Sequence, residues 1–97
     1  MPTREVAPEF WADYDTLTRA QQQRFLRVAR RFAQDADSGT FRASLRVKPL
    51  HRQSGVWEMT WEGNDGRATF NYGPDQIPGK RHIVWRRIGG HEIFQAP

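Results

Sequence analysis

The stretch from Val56 to Tyr72, VWEMTWEGNDGRATFNY, constrains this chain more than any other. Trp57, Met59 and Trp61 fall on one face of an extended segment, and Val56, Glu58, Thr60 and Glu62 on the other. A period of two marks a strand with one face against a core. Gly63-Asn64-Asp65-Gly66 follows. Asp-Gly is a strong hairpin signal, because the primed turns need positive φ, which glycine, Asp and Asn tolerate. The return strand alternates again, with Ala68, Phe70 and Tyr72 on the apolar face and Arg67, Thr69 and Asn71 on the polar one. Arg67 therefore stands just after the turn on the face expected not to pack. From these residues alone it is a solvated strand arginine or a functional cation.

The rest of the chain is read around this hairpin. Thr3 to Val6 fits a short first strand. Pro8 suits a first helical turn, where its missing N–H costs nothing, and Glu9 suits the helix dipole there. Phe10, Tyr14 and Leu17, with Trp11 beside them, give a short amphipathic helix. Thr18 to Gln21 has the T-x-x-Q form of a capping box, so a second helix starts at Thr18. Its core stripe is Phe25, Val28, Ala29, Phe32 and Ala36, with Arg24, Arg27, Arg30 and Arg31 largely off it as a solvated basic face. Ser38-Gly39 ends it. Leu45-Arg46-Val47-Lys48 then alternates as a strand, with Arg46 and Lys48 facing one way, and Pro49 ends it or marks an edge. His51 to Gly55 reads as a polar loop, and Gly73 to Arg81, with two prolines and two glycines, as another. His82 to Ile88 is the last long strand, Ile83 and Trp85 on one face and Val84 and Ile88 on the other. After Gly89-Gly90, His91 to Phe94 fits a short closing strand. No internal repeat or linker interrupts residues 1–97, so a single domain is expected.

The order predicts an α+β fold, two N-terminal antiparallel helices packed on one face of a four- to five-stranded, mostly antiparallel sheet. The core should contain Phe25, Val28, Phe32, Trp57 or its strand neighbours, Phe70 and Val84. The opposite sheet face should carry Arg46, Lys48, Arg67, Thr69 and either His82 with Arg86 or Arg87, an arginine-lined RNA surface.

Charge supports a polyanionic or acidic partner. The net charge is +4, and lysine occurs only at Lys48 and Lys80, so the basic side chains are almost all guanidiniums, which suit bidentate phosphate contact. The absence of cysteine fits a reducing compartment. No apolar run approaches the ~20 residues of a membrane span, and MPTREVAPEF lacks the apolar stretch of a signal peptide, so a cytoplasmic protein without a membrane partner is expected. There is no glycine-rich phosphate loop and no serine elbow, and His51, His82 and His91 lack ligand spacing, so neither metal nor cofactor is expected.

Lys48-Pro49-Leu50, Gly55-Val56-Trp57-Glu58-Met59 and Gly66-Arg67 through Phe70, after a helical pair and before HIVWRRIGGHEIF, resemble the RelE/ParE family of type II toxins. That family carries a core K-P-L … G-(V/I)-(Y/W)-E-(L/M)-R … G-R followed by hydrophobic residues. The likeness spans nearly the whole chain in short, degenerate motifs. Thr60 stands where a basic residue often follows, Gly73 to Arg81 is longer than usual, and no helix follows the last strand. The resemblance implies a ribosome-dependent endoribonuclease that cuts mRNA and is neutralised by a cognate antitoxin, an acidic chain expected to lie over Arg46, Lys48 and Arg67. Arg67 then matches a stabiliser of the phosphorane, Lys48 and His51 a basic or acid–base group before the hairpin, and His91 and Glu92 a C-terminal catalytic segment. Arg46, Arg86, Arg87, Glu92 and Phe94 are the expected RNA contacts, Phe94 by base stacking. Two other readings stay open: a gyrase inhibitor of the ParE kind, and a non-catalytic basic RNA- or protein-binding domain.

Overall fold

A computed structural model describes residues 1–97. The chain runs β1 (Thr3–Val6), α1 (Pro8–Thr16), α2 (Arg19–Ala36), a 3-10 turn (Ala43–Leu45), β2 (Lys48–Pro49), β3 (Trp57–Glu62), β4 (Gly66–Ile77), β5 (Lys80–Gly89) and a closing 3-10 helix (His91–Gln95). The five strands form one sheet in the order β1-β5-β4-β3-β2. Only β1 with β5 is parallel; the other pairs are antiparallel. The expected α+β architecture is the observed one.

The helix starts follow the chemistry expected of them. Pro8 opens α1. Thr18 caps α2 with a complete capping box: Gln21 N donates to Thr18 Oγ1 at 3.1 Å, and Thr18 N to Gln21 Oε1 at 2.9 Å. The helices cover one sheet face, and an aromatic cluster fills the space between. Phe32 lies 4.9 Å from Phe70 and 5.0 Å from Trp85 between ring centroids, and Phe25 5.5 Å from Trp85. Such rings dominate a small core, each burying ~150–250 Å². Phe25, Phe32 and Phe70 are buried as expected, with Val28 and Trp57 partly buried at the margin and Met59 and Trp61 inside.

Several local expectations change. Register slips between Thr69 and Phe70, where Thr69 pairs with Arg87 but Phe70 with Trp85. This bulge carries Ile88 round to the core with Ile83 and Trp85, leaves Val84 half-buried, and brings both Arg86 and Arg87 outward. Gly73 to Arg81 is not a loop. β4 and β5 continue as a two-stranded arm that turns at Pro78-Gly79, with Ile77 paired to Lys80. Pro74 is tolerated because β3 ends its pairing with β4 at Phe70, so Pro74 sits on an open edge. Leu45 to Lys48 is not a strand. A 3-10 turn ends at Leu45, Arg46 is left-handed with φ +48°, and only Lys48–Pro49 pairs, as an edge. His91 to Phe94 is 3-10 helix rather than strand. The hairpin turn forms, but the positive φ falls on Gly63. Gly66 is needed for closeness instead, since a Cβ there would meet Glu62 backbone at 2.8–3.0 Å. No helix is long and apolar enough to cross a membrane.

Candidate functional site

The outer sheet face is polar in sequence, yet it is not open. The 3-10 helix folds back across it, with Ile93 buried, and Arg86 Nε and Thr69 Oγ1 both donate to the Pro97 oxygen, at 3.0 and 3.4 Å. Glu58, Thr60, Arg67 and Thr69 are consequently buried on the side expected to be wet. The expectation that Arg67 lies on an unpacked face is therefore corrected. A period of two identifies the face a residue occupies, but not what a later segment lays over it.

At the edge of this covered face a cleft of about 370 Å³ opens between β2, the following loop and the 3-10 helix. Lys48, His51, Arg52, Glu58 and Phe94 are among its walls. Glu58 is the acidic side chain among them. Its Oε1 lies 4.0 Å from Lys48 Nζ and 3.7 Å from Arg67 Nε. These are ionic approaches beyond hydrogen-bond length, so neither cation donates to the carboxylate. The register explains the grouping: Glu58 pairs with Lys48 on β2 and with Thr69 on β4, which puts Arg67 one diagonal step away on the same face. Arg67 is held from both ends. Its Nη1 donates to its neighbour Gly66 O at 3.0 Å, and the Arg67 carbonyl accepts from Trp61 Nε1 at 3.0 Å. Its Nη2 has no hydrogen bond within the protein, whereas every fully buried side-chain nitrogen or oxygen has one, so Nη2 reaches solvent.

His51 lies exposed in the bend after β2, on the cleft. His91 is close by but does not line it. Its Nδ1 lies 2.7 Å from Asp65 Oδ1, its backbone N–H donates to the same oxygen at 3.1 Å, and its ring meets Phe94 edge-on at 5.6 Å. The His91 ring and backbone together hold the Asp65 carboxyl below its usual range. Asp65, from the hairpin turn, thus clasps the start of the 3-10 helix that delivers Phe94.

The other expected contacts disperse. Arg86 is bound by Pro97 O and Asn71 Oδ1. Arg87 lies on the same side but is tied down: Nε and Nη2 grip Asp13 of α1 at 2.7 and 3.1 Å, an arrangement that raises the arginine further, and Nη1 donates to Ala96 O at 3.0 Å. It joins helix to sheet and is not a free RNA contact. Glu92 accepts from Gly90 N at 3.0 Å as a local cap and lies away from the cleft. Arg46 does not share a face with Lys48, because its left-handed backbone turns it to a groove beside α2. An acidic chain laid over Arg46, Lys48 and Arg67 together is thereby corrected, since the three do not share one open face. His82 is buried between Thr3 Oγ1 and Glu5 Oε1, at 2.8 and 2.7 Å. Sequence reading missed Glu58 and Arg52 as wall residues. For Glu58 the available signal was an acid on the polar face of the first hairpin strand, across the turn from Arg67.

No family model and no curated protein matches the sequence. The fold does match solved structures. The YoeB/ParE toxin from Agrobacterium tumefaciens superposes with a TM-score of 0.67 at 15% identity, over 92% of this chain and 98% of that one. The toxin–antitoxin complex DinJ-YafQ of E. coli gives 0.67 at 14%, over 94% and 93%. The RelB-RelE antitoxin–toxin complex from Methanococcus jannaschii gives 0.56 at 11%, over 93% of each chain. At these identities the likeness is one of fold.

Proposed function

We propose that this chain is the toxin of a type II toxin–antitoxin pair, and that it cuts RNA at the cleft of Lys48, His51, Glu58 and Phe94, with Arg67 behind its wall beside Glu58. The observation that carries the reading is the Glu58 carboxylate, buried between two cations yet accepting a hydrogen bond from neither. The shared fold with solved toxins, two of them crystallised with antitoxins, supports the same reading.

The chemistry follows from what RNA cleavage needs. The 2′-hydroxyl loses its proton to the Glu58 carboxylate, and its oxygen attacks the adjacent phosphorus. The phosphorane gains negative charge on its non-bridging oxygens. Arg67, on a rigid strand with Nη2 at solvent, and Lys48 are the charges that meet it. The P–O5′ bond breaks as a protonated His51 gives its proton to the leaving oxygen, leaving a 2′,3′-cyclic phosphate and a 5′-hydroxyl. Solvent then returns a proton to His51 and removes one from Glu58. Phe94 offers a ring face on which a flanking base stacks, a contact that every base can make. A cognate antitoxin would have to block this cleft or keep RNA from reaching it.

The test is cleavage of a reporter message in a translation extract, with product ends mapped. Cleavage by the wild type, abolished in Glu58→Gln and Arg67→Ala, is the expected result. Growth arrest with the message intact would move the reading to a gyrase inhibitor. Neither effect would leave a binding domain.

A further inference from the structure

A second basic site lies away from the cleft. Arg24, Arg27 and Arg31 stand at i, i+3 and i+7 on α2, along one side of an open groove whose other wall is the 3-10 turn and the end of β3. Arg46 completes it. A residue with a side chain held at φ +48° is uncommon, and here the left-handed backbone sets the fourth guanidinium in the groove. Four arginines face one carboxylate, Glu62, whose only ion pair is with Arg24 at 3.3 Å, between side chains that are 53% and 36% exposed. Arg27, Arg31 and Arg46 form no ion pair. By contrast Arg42, just outside, is bound by Asp35 through Nε at 2.8 Å and Nη2 at 2.9 Å. The chain neutralises an arginine where it needs an anchor and leaves these three free.

We infer that this groove binds the phosphodiester backbone of a polynucleotide, holding an RNA substrate at a distance from the cleft that cuts it. The inference rests on the RNA-cleaving reading for its purpose, but not for its chemistry. From Arg24 to Arg31 the helix rises roughly 10 Å, enough to meet about three phosphates of one strand. Exposed Ser44 adds a hydroxyl-bearing residue to the same walls. The alternative occupant, an acidic protein segment, fits less well. Such segments draw their binding energy from apolar anchors in desolvated pockets, while rim charges contribute little. Here Leu45 and Trp61 are buried at 2% and 4% exposure and Val28, partly buried, packs against the core, so little apolar surface is left in the groove for an anchor. Charge without an apolar anchor describes a backbone-tracking surface.

The experiment measures fluorescence anisotropy of labelled 2′-O-methyl RNA, which cannot be cleaved because its 2′-oxygen is blocked. Single-stranded RNA, duplex RNA and single-stranded DNA of equal length are compared across a salt series. Arg27→Glu/Arg31→Glu is compared with Arg19→Glu/Arg30→Glu, which changes net charge equally on exposed positions of the same helix outside the groove. The groove variant is expected to lose about tenfold or more in affinity near 0.1 M salt, and to flatten the slope of log K against log salt by about 1.4 units for two lost contacts. The control should lose less than about threefold. Arg27→Gln/Arg31→Gln should reproduce most of the loss. Equal losses in both reversal variants, or none in either, would overturn the site. So would polyglutamate binding that depends on Arg27 and Arg31 while RNA binding does not. Because no cleavage is read, a catalytically inert protein can still pass this test. Preference among the three nucleic acids tells which backbone the groove takes.

Discussion

The cleft and the α2 groove are both lined with cations, and they are built in opposite ways. In the cleft the decisive charges sit on paired strands and are almost removed from water, the Arg67 and Glu58 side chains each being only 10% exposed. In the groove three of the four arginines project from one exposed helix face, and there is hardly an acid to hold them. A charge that must meet a developing phosphorane gains from being fixed in advance, where water screens it less. A charge that only attracts a polyanion needs no fixed position, and its effect fades with salt over ~10 Å at 0.1 M. On the proposed function the same residue type therefore serves chemistry in one place and adhesion in the other. Substitutions in the two regions should fail in different ways.

The largest effect is expected at Glu58. Glu58→Gln keeps the volume and removes the proton acceptor, so cleavage should fall about 10²–10⁴-fold with little change in RNA affinity. Single-turnover cleavage beside anisotropy separates the two. A variant that cuts at the wild-type rate would reduce Glu58 to a structural counter-ion and erase the contrast between the regions.

Arg67→Ala should cost roughly 10²–10³ in rate, about 3–4 kcal/mol. Arg67→Lys should restore little, because an ammonium does not reproduce the guanidinium fork. Both are read in the same cleavage assay, with thermal melting to follow the Glu58 charge left with one partner fewer. Full rescue by lysine would mean that charge without geometry suffices, as in the groove.

Phe94→Ala should act on binding in the cleft alone. Losing one stacked base is worth ~1–3 kcal/mol and should raise KM rather than lower kcat. An unchanged KM would assign Phe94 to packing over the outer face.

Much of this architecture is legible in the residues, because their patterns report local physics. The alternation of Trp57 to Tyr72, the Thr18–Gln21 box and the Phe25–Phe32 stripe each describe a segment's own periodicity or cap. What is not legible depends on a distant segment. Nothing near Arg67 says that residues 91–97 will cover it. Nothing in HIVWRRI says that a bulge will bring Arg86 and Arg87 to the same side. The prolines of Gly73 to Arg81 read as a loop because their tolerance depends on where β3 stops. The cleft is half visible in the sequence: Lys48, His51 and Phe94 stand out, whereas Glu58 reads as one polar residue of an alternating strand.

Arg46→Gly gives a smaller effect that separates the regions cleanly. A side chain in the left-handed region costs about 1–2 kcal/mol, and glycine removes that cost while losing ~0.5–1 kcal/mol in unfolded-chain entropy. Denaturant midpoints should stay level or rise slightly. Affinity at the groove should fall a few-fold, with cleavage of a saturating substrate unchanged. A large drop in stability would mean that the Arg46 side chain supports the 3-10 turn.

The smallest effect concerns the Asp65–His91 clasp at the end of the cleft. Hydrogen bonds from the His91 ring and backbone depress the Asp65 carboxyl in the folded protein, while in the unfolded chain it titrates near ~3.9. A depressed acid stabilises the fold above its unfolded value, and that contribution drains away as pH falls through the folded one. Asp65→Asn should therefore be less stable than wild type at pH ~5, and the gap should close as pH drops below ~3.9 towards the folded value. Urea melts at half-unit steps from pH 5 to 2 would measure it. Asp65 is 78% exposed, so the shift will be slight, and added salt should shrink it further. A gap that persists undiminished at pH 2 would mean that the clasp works through turn geometry and not through charge. His91 would then hold the Phe94 segment by its backbone N–H, and protonation of Asp65 would leave the cleft wall in place.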